Sequence, residues 1–317
     1  MKVIYKESGV SLSAVQGEID SAYSLTNMSD EYPRHAFISR SPIETITVSW
    51  PNTPDSIFLG HVMAEEVVFH FDTGDTVTMP NRINWHRVFA RGRKKLADDI
   101  FLNIPTGATS VNIDLKNTMN VADGIDSFLS NGTNGFLSSS GAPAYYKDFP
   151  QLRVGTTLTN GSTSYQIREL RGIGSGNDDV KLVTGGSTGF TISKIVLPVS
   201  VGILRVGYRR EFPNPTVGLV MQTNDYGTHQ EIHGSQTYTA RTTAKSYNVP
   251  MTLTNEHKDL FVDTWEGLRG TPVATDLLHG LDSKLVGWMT CMNLPQITAE
   301  SRRYNYFQTS FEIREVG

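Results

Sequence analysis

Polar and apolar residues alternate with a period of two along most of the chain, and this period is typical of β-strands with one buried face. Ile46, Val48 and Trp50, for example, alternate with threonine and serine. The runs EEVVFHFDTGDTVTM and TTLTNGSTSYQIREL each carry a turn signal near the middle, at residues 73–75 and 160–161, and therefore predict β-hairpins. Short strands joined by turns predict a mainly β fold, either a sandwich or a jelly roll.

The periodicity changes after Pro215. The segment NEHKDLFVDTWEGLRG, residues 255–270, predicts an amphipathic helix that is capped by Asn255 and ends at a left-handed Gly270. The segment YFQTSFEIRE near the end of the sequence alternates again and predicts a strand with one buried face. The apolar stripe of the predicted helix consists of Leu260, Phe261, Trp265 and Leu268.

These patterns predict two domains. A chain of 317 residues is long enough for both, because single cores seldom grow beyond about 250–300 residues. We expect a β-sandwich or jelly-roll domain over 1–207 and a small antiparallel sheet with one packed helix over 208–317. Residues 117–150 are rich in asparagine, glycine and serine and contain too few spaced apolar residues for a core of their own. They are expected to form an exposed insertion in the first domain.

Composition and charge restrict the classes of partner. The chain is 38% hydrophobic and 19% charged with a net charge of −4, which gives no overall attraction to nucleic acid or to anionic membranes. Its single cysteine, Cys291, excludes an internal disulfide and agrees with assembly in a reducing cytoplasm. No run approaches the roughly 18 apolar residues of a membrane span, and MKVIYKESGV lacks the apolar region of a secretory signal.

Three short motifs suggest catalysis, but their contexts do not fit. HQEIH, residues 229–233, lacks the glutamate directly after the first histidine, and on a strand its histidines would stand about 13 Å apart. GGSTG, residues 185–189, is followed by a strand-like run and not by the helix of a nucleophile elbow. GIGSG, residues 172–176, has no dinucleotide-binding unit around it. We therefore predict no catalytic residue, metal or cofactor. A hydrolase with an unrecognised site at Ser187 or His233 is kept as an alternative, after the structural and the glycan-binding functions described below.

One cluster suggests a binding surface. The run RINWHRVFARGRKK interleaves basic and aromatic side chains, which could bind nucleic acid or an anionic glycan, although a solvated face or an inter-subunit ion-pair surface is the commoner explanation. For stacking on a glycan the candidates are Trp85, Tyr145 and Tyr146. The candidates for contacts with another subunit or a ligand are Arg87, Arg91, Arg93, Lys94 and Lys95.

Four segments carry a resemblance to a known family. They are SAYSLTNMSDEYPRHAFISRS at 21–41, DSIFLGHV at 55–62, VGILRVGYRREF at 201–212 and QTSFEIREV at 308–316. Together they resemble tail proteins of tailed bacteriophages. In that group a galactose-binding-like (discoidin-like) β-sandwich leads through an aromatic and proline-rich joint into a C-terminal domain, which ends in a similar phenylalanine–glutamate strand.

The resemblance implies a structural role without catalysis. The expected function is a component of a phage tail tip or baseplate that assembles as a ring with copies of itself and links the tail tube to tip proteins. Its place would be the virion tail, after assembly in the host cytoplasm. In the implied joint, Phe212 anchors the linker, and Pro213 and Pro215 hold it extended. The alternative function is a carbohydrate-binding adhesion module that contacts host surface glycans.

Overall fold

The fold is mainly β, as predicted, and its sheets are curled and antiparallel. The computed structural model of the chain describes residues 1–33, 35–79, 98–118, 128–130, 137–139, 142–143, 155–160, 163–171, 179–182, 191–192, 194–225, 228–232, 235–239, 243–279, 285–293, 295–301 and 306–316.

The strands of the first half, in chain order, are β1 Lys2–Glu7, β2 Ser11–Ala14, β3 Phe37–Ile38, β4 Ile43–Ser49, β5 Ser56–Val62, β6 Glu66–Phe71, β7 Thr76–Met79, β8 Asp98–Asn103, β9 Ser110–Lys116, β10 Phe128–Ser130, β11 Leu137–Ser139, β12 Ala142–Pro143, β13 Thr157–Asn160 and β14 Thr163–Arg171. Two short 3-10 helices, Ser21–Tyr23 and Leu25–Ser29, lie between β2 and β3.

The elements of the second half are β15 Asp179–Leu182, β16 Thr191–Ile192, β17 Lys194–Val196, β18 Ser200–Val201, β19 Ile203–Glu211, β20 Val220–Asp225, β21 Thr228–Ile232, β22 Ser235–Thr239, β23 Thr243–Thr254, α1 Asn255–Gly267, β24 Val273–Asp276, β25 Val286–Cys291, β26 Gln296–Ser301 and β27 Tyr306–Glu315.

Five strands form a sheet in the order β2–β4–β9–β6–β7. The alternation in β4 places Ile46 and Val48 in the core, with no exposed surface on either side chain. The hairpin predicted between β6 and β7 is confirmed. The N–H of Phe71 donates to the carbonyl of Asp75 at 2.9 Å, and Gly74 has a φ of 92°, which glycine adopts without steric strain.

This sheet packs against one end of a ten-stranded sheet, whose order is β20–β23–β27–β25–β24–β1–β19–β5–β8, with β26 also paired to β27. Two sheets that enclose an apolar layer agree with the predicted β-sandwich. The smaller sheet contributes Ile46, Val48, Val67, Phe69, Val111 and Ile113 to this core, and the larger sheet contributes Ile57, Leu59, Ile100, Leu204 and Val206.

The first strand of the chain lies in the middle of the larger sheet. Strand β1 pairs with β19 on one side and with β24 on the other, so that Lys2 is opposite both Glu211 and Asp276. Strands from both predicted domains are therefore neighbours in one sheet. The predicted boundary between residues 207 and 208 falls inside β19.

The larger sheet also curls around a second, small apolar cluster. Ile4, Phe58, Ile203 and Trp288 come from four different strands and are all buried in this cluster. The rings of Phe58 and Trp288 stack with their centroids 6.1 Å apart. The curl brings β8, at the end of the sheet, close to β25.

A buried arginine connects the N-terminal segment around residues 28–30 to the curled part of the larger sheet. The guanidinium of Arg205, 4% exposed, donates to the carbonyls of Met28 at 3.0 Å and Asp30 at 2.6 Å. It lies 4.7 Å from the ring centre of Trp288, and its Nε is 2.7 Å from a carboxylate oxygen of Glu7. Because no apolar residue could donate these bonds, the arginine specifies where the loop packs.

The predicted helix is confirmed as α1, with corrections at both ends and on its surface. Thr254 is the N-cap, although its side chain makes no capping hydrogen bond, and Asn255 is the first helical residue. Gly270 has the predicted positive φ, 73°, two residues beyond the C-cap Leu268. Leu260, predicted on the apolar stripe, is 37% exposed, because it turns away from the sheet.

The helix covers one face of the C-terminal strands. Its Phe261 and Trp265 have no exposed surface and pack on β23 and β27. The ring of Phe261 meets Phe311 edge-on, with centroids 5.3 Å apart, and Trp265 lies 5.1 Å from the same ring. The sheet with one helix that was predicted for the C-terminal region is therefore present, but it is part of the larger sheet.

The predicted second hairpin is confirmed with its turn moved by one residue. Asn160 in β13 pairs with Thr163 in β14, which leaves residues 161–162 between the paired ends, in place of 160–161. In the predicted insertion, β10, β11 and β12 form a small sheet with β16. The segment 117–150 therefore contains short strands where the structure describes it.

Candidate interaction surface

A second pair of strands lies in the sequence between β20 and β23. Strands β20 and β23 pair in the larger sheet from Val220 opposite Asn248 to Asp225 opposite Thr243. Strands β21 and β22, which come between them in the sequence, pair with each other and with no other strand that the structure describes. We call β21 and β22 the arm. Five residues per strand give it a length of about 16 Å.

The sequence reasoning did not predict this arm. The hydrophobic pattern over residues 236–253 predicts two strands, and β22 and β23 overlap this range, but their pairing with β21 and β20 was not predicted. The available signal was the dipeptide His233–Gly234 between two polar runs of similar length, since a two-residue loop containing glycine is typical of a hairpin.

The face of the C-terminal strands opposite α1 is polar and open. Side chains alternate along β23, so the buried Tyr247 and Val249 face the helix while Asn248 between them is exposed on the other side. The hydroxyl of Ser310 in β27 donates to the side-chain oxygen of Asn248 at 2.6 Å. On the same strand Arg314 and Glu312 form an ion pair of 3.6 Å.

This face contains a groove of about 880 Å³, and a second cavity of about 500 Å³ continues from it past Gln296 and Ser310. Amide and hydroxyl groups dominate its lining, so the groove offers hydrogen bonds with little net charge. Among the described residues neither tyrosine nor tryptophan lines it. The side chains that line the first cavity include Val220, Gln222, Asn248, Met292, Gln296 and Glu312.

The free thiol of Cys291 borders the groove. It donates to the carbonyl of Asn293 at 2.9 Å, and burial raises the pKa of the Cys291 thiol to about 11. Because the thiolate is the reactive form, this cysteine is not an activated nucleophile.

We expect Cys291 to react slowly with a disulfide reagent at pH 8. A pKa raised from 9.0 to about 11 lowers the thiolate fraction about 100-fold. A more basic thiolate is also more nucleophilic, which offsets part of the loss of thiolate. The reaction of Cys291 with the reagent should therefore be about tenfold slower in the folded protein than in the unfolded chain. The rate should rise with pH until about pH 11. Absorbance of the released thiol measures it in native and denaturing buffer; equal rates would contradict the burial of this thiol.

The residues predicted for subunit or glycan contacts lie outside the described residues. The hypothesis of glycan stacking and the hypothesis of subunit or ligand contacts therefore stay predictions. The aromatic residues concerned are Trp85, Tyr145 and Tyr146, and the basic residues are Arg87, Arg91, Arg93, Lys94 and Lys95.

The predicted joint lies against the core. Phe212 is 2% exposed, and its ring meets Phe261 edge-on with centroids 5.1 Å apart. Its N–H donates to the carbonyl of Met1 at 2.8 Å. Pro213 and Pro215 follow in the irregular segment that leads to β20.

The three motifs set aside on sequence grounds have different outcomes. Part of HQEIH is strand β21, with His229 opposite Tyr238, so this motif is not on a helix. The motifs at 172–176 and 185–189 fall outside the described residues. Within the described ranges no group of three or more histidine, cysteine or acidic side chains could hold a metal ion.

No family model, curated protein or solved structure matches this chain. The functional argument therefore rests on the residues and the geometry. In the part of the chain that the structure describes, no helix is long and apolar enough to cross a membrane.

Proposed function

We propose that this protein is a structural subunit of a bacteriophage tail tip or baseplate, which assembles into a ring with copies of itself and links the tail tube to tip proteins. The phage assignment rests on the sequence resemblance at 21–62 and 195–317. On this proposal the protein is not an enzyme, it is assembled in the host cytoplasm, and it resides in the virion tail.

The observation that carries the self-assembly is the arm. Strands β21 and β22 pair only with each other among the described strands, while β20 and β23, which flank them in the sequence, are held in the larger sheet. A two-stranded hairpin on its own is marginally stable in water, so contact with a neighbouring molecule would stabilise the arm. Repeated contacts of this kind between copies close into rings when the rotation between copies permits it.

A finer assignment of the fold belongs to the same proposal. We infer that the sandwich formed by the five-stranded sheet and the β19–β5–β8 end of the larger sheet is of the galactose-binding-like, jelly-roll kind. Its antiparallel strands and its two facing apolar layers support this assignment.

The self-assembly is tested with the purified full-length chain. We expect light scattering to give the mass of several copies and negative-stain electron microscopy to show rings. A variant in which two glycines replace residues 228–239 should form fewer or smaller assemblies, because the arm is missing. As a matched control, His233→Asn gives an Asn-Gly dipeptide, which is typical of hairpin loops, leaves the sequence of both strands unchanged and should assemble like the wild type. A wild-type mass of one copy over the whole concentration range would overturn the proposed self-assembly.

The phage role needs a separate measurement on virus particles. Immunogold electron microscopy of phage from the source lysate, with antibody against this protein, should place gold at the tail tip. Gold nowhere on the particle would overturn the tail assignment even if the purified protein forms rings.

The groove supports a second candidate function, the binding of host glycans. Amide, hydroxyl and carboxylate groups such as those of Asn248, Ser310 and Glu312 can hydrogen-bond sugar hydroxyls. A glycan array tests this candidate: binding that is lost in Asn248→Ala supports the groove, whereas binding lost in Tyr145→Ala with Tyr146→Ala supports the aromatic residues predicted from the sequence. An array without binding removes the candidate.

A further inference from the structure

Strand β20 forms an exposed apolar edge of the larger sheet. It pairs with β23 on one side and with no described strand on the other. Side chains on both of its faces are exposed, Val220 at 47% on the groove face and Met221 at 51% on the helix face. Val217, just before the strand, is fully exposed at 102%. We call Val217, Val220 and Met221 the apolar edge.

Most of this edge lacks the features that keep sheet edges apart. Soluble proteins protect exposed edges with charged side chains, especially lysine, with proline or with bulges. Residues 216–224 contain neither a charged residue nor a proline, although 19% of the chain is charged, and the charge in β20 is that of its last residue, Asp225. The pairing of β20 with β23 has a continuous register, and no bulge twists the edge away. The apolar edge therefore favours pairing with another strand.

Charge favours a second copy of the chain as the partner. Each copy carries a net charge of −4, so two copies repel one another at most relative orientations. The charge-free segment 216–224 is a part of the surface where they can approach with little of this repulsion. The contact would also bury Val220 and Met221 from both faces of the sheet, which adds apolar burial to the hydrogen bonds between the strands.

We propose that the free edge of β20 pairs with an extended strand of a second copy and so joins the larger sheets of neighbouring subunits. This inference rests on the proposed self-assembly and names the surface that carries it. The arm begins directly after β20, so the edge pairing would place the arm along the same neighbour.

The test changes the edge without changing the core. Val220→Lys and Met221→Lys each place a charge on an exposed position of the edge, where pairing with another strand would have to remove that charge from water. We expect each variant to raise the protein concentration needed for half-assembly about tenfold or more, measured by light scattering. The matched control is Ile43→Lys, because Ile43 is an apolar residue at the start of β4, away from the apolar edge, and its exposure of 53% is similar to that of Val220 and Met221. It should assemble like the wild type.

Hydrogen exchange on the wild type gives an independent readout. Amides of 220–225 that point away from β23 should exchange quickly in dilute, dissociated protein and slowly in the assembled protein. Circular dichroism and the thermal midpoint show whether each variant is folded.

The outcomes separate the two proposals. If the wild type assembles and both lysine variants assemble equally well, the edge pairing is wrong and the self-assembly stands. Unchanged exchange of 220–225 on assembly would also overturn the edge pairing. If the wild type is a single copy at every concentration, both proposals fail.

Discussion

Replacement of Arg205 by alanine should lower the free energy of unfolding by about 3–5 kcal/mol, as is typical when a buried, hydrogen-bonded charge network is broken. The change removes the donors to the carbonyls of Met28 and Asp30 and the cation above the ring of Trp288. Buried carbonyls that lose their donors pay a desolvation penalty that no water compensates in a packed site. Urea unfolding followed by tryptophan fluorescence measures the loss.

Two further variants make this expectation specific. Arg205→Lys keeps the charge but not the planar fork of donors, so it should recover only part of the lost stability. Arg40→Ala is the matched control, because Arg40 is exposed and its guanidinium donates to the carbonyl of Glu18. It should change stability by less than about 1 kcal/mol. If Arg205→Ala lowered the free energy of unfolding no more than Arg40→Ala does, the role of the buried network would be contradicted.

The second large effect is expected at Trp265. This side chain has no exposed surface and contacts the rings of Phe261 and Phe311 beneath α1. Trp265→Ala should cost about 3–5 kcal/mol, because it removes apolar burial and leaves a cavity. Urea unfolding monitored by circular dichroism at the helix band measures it, since the change itself removes one of the four tryptophans.

The variant Trp265→Phe separates packing from polarity. The indole N–H of Trp265 is buried and has no hydrogen-bond acceptor among the described residues, so phenylalanine removes an unsatisfied donor while it keeps most of the ring. It should cost less than half as much as alanine. Leu260→Ala on the same helix, at a position that is 37% exposed, should have little effect. An equal cost for all three changes would mean that α1 does not pack on the sheet through Trp265.

The structure also bears on how the two predicted domains could work together. Strand β1 pairs with β19 and with β24, and Arg205 in β19 contacts Trp288 in β25. Hydrogen bonds and buried contacts therefore connect the described N-terminal and C-terminal strands within one sheet. In the proposed ring, such a connection would link the sandwich to β20 and β23 through paired strands.

The sequence alone predicted the local structure of the chain well. Strand β4, the turn at Gly74 and helix α1 follow from period-two alternation, from the conformational freedom of glycine and from an apolar stripe on a helix. The errors were small and local, such as the turn near Asn160 and the exposure of Leu260. These features depend on neighbours within a few residues, and the sequence displays such neighbours directly.

Only the tertiary structure decided which strands are neighbours and which edges are open. The short apolar run of β1, residues 3–5, is compatible with many partners, and nothing in it specifies pairing with β19 and β24, which lie about 200 residues or more away in the sequence. The apolar run around Val220 resembles that of a buried strand. It nevertheless lies at a sheet edge, since β20 pairs with β23 on one side and with no described strand on the other. The burial of Arg205 could not be predicted from the sequence either. Strand pairing, edge exposure and buried polar contacts depend on residues that are distant in sequence, and the period of the hydrophobic pattern carries no information about them.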